Sequence, residues 1–404
     1  MKKVLSLSML FLLLFSLCVP VSSITIKEPQ LEINAKSAVL IDANTGTVLY
    51  SLNKDTPLPP ASVTKIMTLL LVFEAIEHEN LKYDDTLTVS EHAASMGGSQ
   101  VFLEPGEVME VEELLKCVII ASANDAALTL AEHIAGSEEA FVDMMNNRAY
   151  ELKMKNTHFE NVTGLDDDVT NHLTTAYDIA LMSRELIKHK KVSEYATIWM
   201  DTIRDGEFGL TNTNRLVRFY KGITGLKTGS TSKAGFCVSA TAKRDGLELI
   251  AVIMGAESSN IRNACATKLL DYGFANYSIY QNTGADLGTI KVLGGTKDNV
   301  AIKFDSYNSL ENKGNENKIT YETNINENIE APVKKGDVVG EIKYMLNGEI
   351  IGKSEIYCIE NINKISFWEF FIRILENFIL KWYFFNKKVL KFSDRCCIIL
   401  NIII

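Results

Sequence analysis

Pro59-Pro60-Ala61-Ser62-Val63-Thr64-Lys65-Ile66-Met67-Thr68, running on into Leu69-Leu70-Leu71-Val72-Phe73, is the stretch from which the rest of the chain can be read. Each proline fixes φ and lacks a backbone donor, so whatever precedes the segment stops there. An apolar helical run begins almost at once. Ser62 and Lys65 stand three residues apart in its first turn, which puts both side chains on one face. A hydroxyl beside an amine at the start of a buried helix is the chemistry of a nucleophile with its own base. The same tetrad recurs at Ser51/Lys54 and Ser230/Lys233. Taken alone, it is better read as a helix-capping serine beside a solvated lysine. Its companions decide.

At 404 residues the chain has room for two domains and a large core, and 47% hydrophobic with 23% charged residues is a globular composition. The net charge of −10 is unevenly spread, because both ends are basic and the middle is therefore more acidic than the whole. That argues against a nucleic-acid surface there. Met1-Lys2-Lys3, the apolar run Val4 to Val19 and the small residues at Val21-Ser22-Ser23 form a signal-peptide pattern, so residues 1–23 are expected to direct export. A retained anchor helix is the alternative. Cys117, Cys237, Cys265 and Cys358 stand alone in apolar contexts, with no disulfide framework or zinc spacing, and are expected as isolated buried thiols.

Ala38 to Asp42 and Thr47 to Tyr50, joined by Asn44-Thr45-Gly46, read as a hairpin. Val111 to Ile120 and Ala126 to Ile134 read as helices around the polar break Ala121-Ser122-Ala123-Asn124-Asp125. A buried helical hairpin would push that break inward, although Ser-x-Asn alone is better read as a cap. Helices are expected over 138–155 and 174–189, with the aspartates 166–168 between them in a solvated loop. That run lacks EF-hand spacing, so no calcium is expected. Lys227-Thr228-Gly229 precedes a hairpin, Ala234 to Ala242 and Leu247 to Met254, turned by Asp245-Gly246, which puts it on a sheet edge. Gly229 would let a ligand approach the backbone closely. A last helix is expected from Ala264 to Tyr272, stopping at Gly273. From about residue 279 short strand-like runs suggest a separate small β domain. In the tail, Phe367 to Phe385 mixes large apolar residues with charges too frequent for a membrane span, and fits an interfacial amphipathic helix.

Each motif is weak by itself; the ordered set Ser62-x-x-Lys65, Ser122-x-Asn124, Lys227-Thr228-Gly229 is strong. With Gly164-Leu165-Asp166, the stretch His172 to Asp178 and Gly222 to Phe236, the chain resembles the low-molecular-mass penicillin-binding proteins. The match is to their serine D-Ala-D-Ala carboxypeptidases, over about residues 30–360. The resemblance implies an α/β (α+β) catalytic domain of the β-lactamase/transpeptidase type at 24–278, an antiparallel sheet flanked by helices. A small all-β domain at 279–363 and an amphipathic membrane-associating tail at 364–404 would follow.

It also implies roles. Ser62 would attack the carbonyl between the two terminal D-alanines of a peptidoglycan stem peptide. Lys65, among apolar residues, would accept its proton at a lowered pKa. Ser122 would relay a proton to the leaving D-alanine, and Asn124 would orient Lys65 and the substrate amide. Lys227 would supply positive charge, while Thr228 and Arg262 would hold the terminal carboxylate. Backbone N–H groups of Ser62 and Ser230, the latter next to Gly229, would form the oxyanion hole. No cofactor or metal is implied. β-Lactams would acylate the same serine, and the protein would work outside the cytoplasm, held to the membrane surface by its tail or secreted. Ala123 and Ser230 depart from residues common in relatives, which bears on rate and on β-lactam sensitivity. A β-lactamase is the nearest rival, but no Glu-x-x-Leu-Asn element lies between residues 150 and 190. A catalytically silent penicillin-binding sensor is the other.

Overall fold

A computed structural model describes residues 31–166 and 169–379. The expected signal segment, Asp167-Asp168, and the tail from 380 onward with Cys396-Cys397 lie outside the described residues. Alternation along one strand explains the catalytic unit. In Leu247–Ala256, Leu249, Ala251 and Ile253 point into one apolar cluster, while Ile250, Val252 and Met254 point into another. Both faces of the strand are covered, so it reads as one continuous apolar run.

This strand, β5, is the centre of a five-stranded sheet ordered β2-β1-β5-β4-β3. The others are β1 (Ser37–Asp42), β2 (Val48–Leu52), β3 (Ile223–Thr231) and β4 (Gly235–Arg244), and every neighbouring pair is antiparallel. The β4–β5 turn has positive φ at both Asp245 (49°) and Gly246 (82°), as the Asp-Gly signal requires. On one face lie α1 (Lys65–Glu77), α2 (Asn124–Ala135) and α3 (Ala176–Leu186), which contribute Ile66, Leu128 and Ile179 to the larger core. From Lys65 to Phe73 every residue of α1 is buried, so this helix is surrounded on all sides.

The other face is covered by α4, Ser259–Asn276, longer at both ends than the sequence suggests. Ser258 caps it by accepting from the Ile261 N–H at 3.2 Å. Gly273 does not stop the helix. A Cβ there would stand 2.4 Å from Leu249 Cδ1 and 3.1 Å from Leu40 Cδ2, so the glycine lets α4 close on the sheet.

The described residues divide into two compact units, one of residues 31–279 with 310–316 and one of residues 280–309 with 317–379. The second unit has a six-stranded sheet, ordered Thr320–Ile325, Val338–Leu346, Glu349–Cys358, Asn299–Phe304, Asp286–Leu293, Asn328–Glu330. It carries its own core, with Val300, Ile302, Ile342, Tyr344 and Ile356. A helix over residues 367–379 belongs to the same unit, and its Phe367, Trp368 and Phe378 are each 70% exposed or more. Among the described residues no helix is long and apolar enough to cross a membrane. Cys117, Cys237, Cys265 and Cys358 are free and buried, as isolated core thiols.

Gly273→Ala should lower stability by about 1–3 kcal/mol through overpacking against Leu249, read as a reduced urea midpoint. An unchanged midpoint would mean that the α4–sheet contact relaxes freely.

Candidate active site

Pro60 leads into a single 3-10 turn, Ala61–Thr64, and the α-helix proper starts only at Lys65. Ser62 therefore lies in the tight turn ahead of the helix. Residues three apart nearly eclipse in 3-10 geometry, and Lys65 Nζ comes to 3.0 Å from Ser62 Oγ. Lys65 Nζ also donates to the Thr163 carbonyl at 3.0 Å. The Lys65 side chain is wholly buried; that burial, helped by the charge of Lys227, holds its pKa well below the usual lysine value, against the opposing pull of Asp125. The neutral amine is thereby favoured, and its lone pair can take a proton from the hydroxyl beside it.

Ser122 reaches the same place by an irregular route. Helix Val111–Lys116 widens into a π turn, Cys117–Ala121, and Ser122 ends it in the left-handed conformation with φ 64° and ψ 29°. Such a serine costs about 1–2 kcal/mol of backbone energy. In return its hydroxyl is aimed inward, where Lys227 Nζ donates to it at 2.7 Å and also to the Thr228 carbonyl at 3.0 Å. Asn124 opens α2 two residues on. Its Nδ2 donates to the Gly97 carbonyl at 2.6 Å, which fixes the orientation of the amide. Its Oδ1 is buried without a hydrogen-bond partner among the described residues. Gly98 makes room for this side chain: a Cβ there would lie 2.8 Å from Asn124 Nδ2.

Lys227, Thr228 and Gly229 lie on the edge strand β3. Burial, and then the charge of Arg262, lower the Lys227 pKa to about 7. Arg262, inside the first turns of α4, is itself lowered to about 10, chiefly by burial, with Arg215 adding to the effect and Cys237 opposing it. Thr228 Oγ1 donates to Thr213 Oγ1 at 2.8 Å. Ser62, Ser122, Thr228, Ser230 and Arg262 all line one cleft of about 670 Å³. That lies within the usual range for small-ligand sites. Gly229 lines the same cleft, where a ligand can approach its backbone, and its missing side chain has a second use. A Cβ there would stand 2.7 Å from Ser62 N and 2.9 Å from Val63 N, so the nucleophile's own turn also packs against this backbone.

Three contributors lie outside the three catalytic motifs. Thr163 supplies the carbonyl that holds Lys65. Gly164, at φ 81°, passes so close to the Ala61 carbonyl that a Cβ would overlap it at 1.9 Å. Asp166, expected in a solvated loop, is instead 7% exposed; it accepts from the Thr231 hydroxyl, and its carbonyl accepts from Lys233 Nζ. Only Asn161, whose Oδ1 accepts from the Gly164 N–H at 2.7 Å, offers a local turn signal for this loop. Among the described residues no group of three or more His, Cys, Asp or Glu could hold a metal ion.

His172 has a structural place. Its Nδ1 accepts from the Glu160 N–H at 3.0 Å, so Nε2 carries the proton and donates to Thr64 Oγ1 at 2.8 Å, next to Lys65. Burial pushes its pKa down to about 4. An unfolded histidine takes up its proton first, so this residue's contribution is full above about pH 6.5 and is lost as pH falls toward 4. The loss should be on the order of 3 kcal/mol. His172→Gln is expected to flatten the fall in melting temperature between pH 6.5 and 4; parallel curves for the two proteins would sink this account.

With the geometry established, similarity to known proteins can be placed. Residues 23–258 match the family described as D-alanyl-D-alanine carboxypeptidase, and residues 274–364 match the penicillin-binding protein 5 C-terminal domain. The D-alanyl-D-alanine carboxypeptidase DacF of Bacillus subtilis is 42% identical over 353 residues, covering 86% of this chain and 90% of that one. Penicillin-binding protein 5 from Haemophilus influenzae superposes with a TM-score of 0.69 at 30% identity, covering 84% of this chain and all of the other (100%). Penicillin-binding protein D2 of Listeria monocytogenes, solved in its ampicillin-bound form, gives 0.54 at 33% identity over 61% of this chain and 100% of its own. The chain belongs to the D-alanyl-D-alanine carboxypeptidase family of penicillin-binding proteins.

Proposed function

We propose that this protein is a serine carboxypeptidase that removes the terminal D-alanine from peptidoglycan stem pentapeptides through an acyl-enzyme on Ser62. The observation that carries the reading is the buried Lys65 amine, 3.0 Å from Ser62 Oγ, with the Lys227–Ser122 pair lining the same site. Neutral Lys65 takes the hydroxyl proton as Ser62 Oγ bonds to the penultimate D-alanine's carbonyl carbon. The charge that builds on the carbonyl oxygen is met by the N–H groups of Ser62 and Ser230. As the peptide bond breaks, Ser122, polarised by Lys227, gives its proton to the departing amine, and the proton held on Lys65 replaces it, which leaves Lys65 neutral again. Arg262 and Thr228 hold the terminal carboxylate, and the unpaired Asn124 Oδ1 takes a substrate amide N–H. Water then cleaves the ester, and its proton restores the serine.

A β-lactam acylates Ser62 in the same way, but its leaving nitrogen stays tethered in the cleft and obstructs that water. Against a lactamase, the Asp166 carboxylate is already engaged by the Thr231 hydroxyl. Purified residues 24–363 are expected to release D-alanine from a pentapeptide ending in D-Ala-D-Ala and to form a long-lived fluorescent-penicillin adduct. Ser62→Ala should abolish both. Lys65→Arg, which keeps the charge but not the base, should cut turnover by about 10²–10⁴. Rapid adduct turnover would instead point to a lactamase, an adduct without D-alanine release to a sensor, and full activity of Ser62→Ala would overturn the assignment.

We also propose that the chain is exported behind residues 1–23 and rests on the outer face of the cytoplasmic membrane through its tail. The exposed Phe367, Trp368, Phe370 and Phe371 of the last described helix support this, since such a row is expensive to leave in water. Full-length mature protein should sediment with anionic vesicles while a chain ending at residue 363 stays in solution. Equal sedimentation of the two would rule the anchor out.

A further inference from the structure

Seven arginines lie in the catalytic unit, and five of them are engaged. Arg148 pairs with Glu74 and Arg204 with Glu107, Arg244 and Arg184 donate to backbone carbonyls, and Arg262 donates to Asn263 and to the Cys237 carbonyl. Arg215 and Arg218 differ. Both are exposed and line the cleft that holds Ser62, and among the described residues neither has an ion-pair or hydrogen-bond partner for its guanidinium. Arg218 is instead held between rings, 5.6 Å from the centroid of Trp199 and 5.6 Å from that of Phe219. Cation–π contact fixes the plane of a guanidinium and leaves its N–H fork open.

No carboxylate lines this cleft among the described residues, although the chain as a whole carries a net charge of −10. Arg215 lies near enough to Arg262 to help depress its pKa, so the free site carries uncompensated repulsion. One terminal carboxylate answers Arg262 and Thr228. Two further open guanidinium forks on the same cleft exceed what that single anion needs, and Arg's fork is the group that matches carboxylate geometry.

We propose that Arg215 and Arg218, backed by Trp199 and Phe219, form a second anion subsite, which takes a carboxylate carried by the substrate peptide away from its D-Ala-D-Ala terminus. The inference rests on the carboxypeptidase reading for the identity of the substrate and adds a basis for choosing among stem peptides. A peptide with a free side-chain carboxylate at its third residue would bind better than one in which that group is an amide.

The test uses two synthetic pentapeptides ending in D-Ala-D-Ala, one with a third-residue side-chain carboxylate and the other its carboxamide twin. Wild type should favour the acid by about tenfold in kcat/KM, mostly through KM, as one charge-assisted hydrogen bond would give. The double variant Arg215→Gln/Arg218→Gln should bring the ratio to near one, by slowing the acid alone. No preference in wild type, or an equal loss on both peptides, overturns the subsite; the equal loss would assign the pair to the terminal carboxylate instead. If wild type releases no D-alanine from either peptide, the carboxypeptidase reading is what fails. Calorimetric binding of the same two peptides to Ser62→Ala then decides the subsite: tighter binding of the acid upholds it, and equal binding removes it.

Discussion

Lys65 and Lys227 both have their amines withdrawn from water inside one site, and most of the local architecture follows from accommodating them. A buried ammonium is tolerated only where hydrogen bonds and opposite charge replace its hydration; otherwise it gives up its proton. The two lysines answer differently. Lys65, beside Lys227 and held by a carbonyl and a hydroxyl, is driven toward the neutral form. Lys227 is depressed to about 7, with Ser122 Oγ and its own neighbour's carbonyl as acceptors. One amine is thus suited to accepting a proton and the other to supplying positive charge. The left-handed Ser122, the π turn before it and the Thr163 carbonyl are the local irregularities that this division requires.

The loop 161–166 connects these parts. It supplies the Lys65 acceptor, packs its Gly164 under Ala61, and ties the far end of β3 through Asp166 to Thr231. The nucleophile's turn, the base and the Lys-Thr-Gly strand are therefore registered against one another through a segment that contains no catalytic group. His172 adds a second tie, from the Glu160 backbone to the threonine that precedes the base.

What the sequence discloses is mainly what depends on short-range pattern. The hairpins at 44–46 and 245–246, the edge position of Lys227 and the burial of α1 follow from turn chemistry and apolar runs. So does the order of the three motifs, since the site needs those residue types at those places. What it hides depends on contacts between distant segments. Gly273 looks like a helix stop because its reason for being glycine is Leu249, on the neighbouring sheet. Gly229 lines the cleft as its place in the motif suggests, but its second use, admitting the Ser62 backbone, is hidden because that turn is far away in the chain. Asp166 looks solvated because it sits in a run of acidic residues, and its hydroxyl and ammonium partners come from the end of β3 and the turn after it. Spacing says nothing of these.

The four described thiols have a consequence of a different kind. Cys117, Cys237 and Cys265 lie in the catalytic unit and Cys358 in the β unit, all free and buried. Neither unit needs an oxidant to complete its fold at these positions, so maturation of the described structure is independent of the redox state of the compartment that receives it. The same placement makes each thiol a silent witness. It is unreactive while its unit stays closed and becomes alkylated only when that unit opens, so the two halves of the molecule carry separate chemical records of their own breathing.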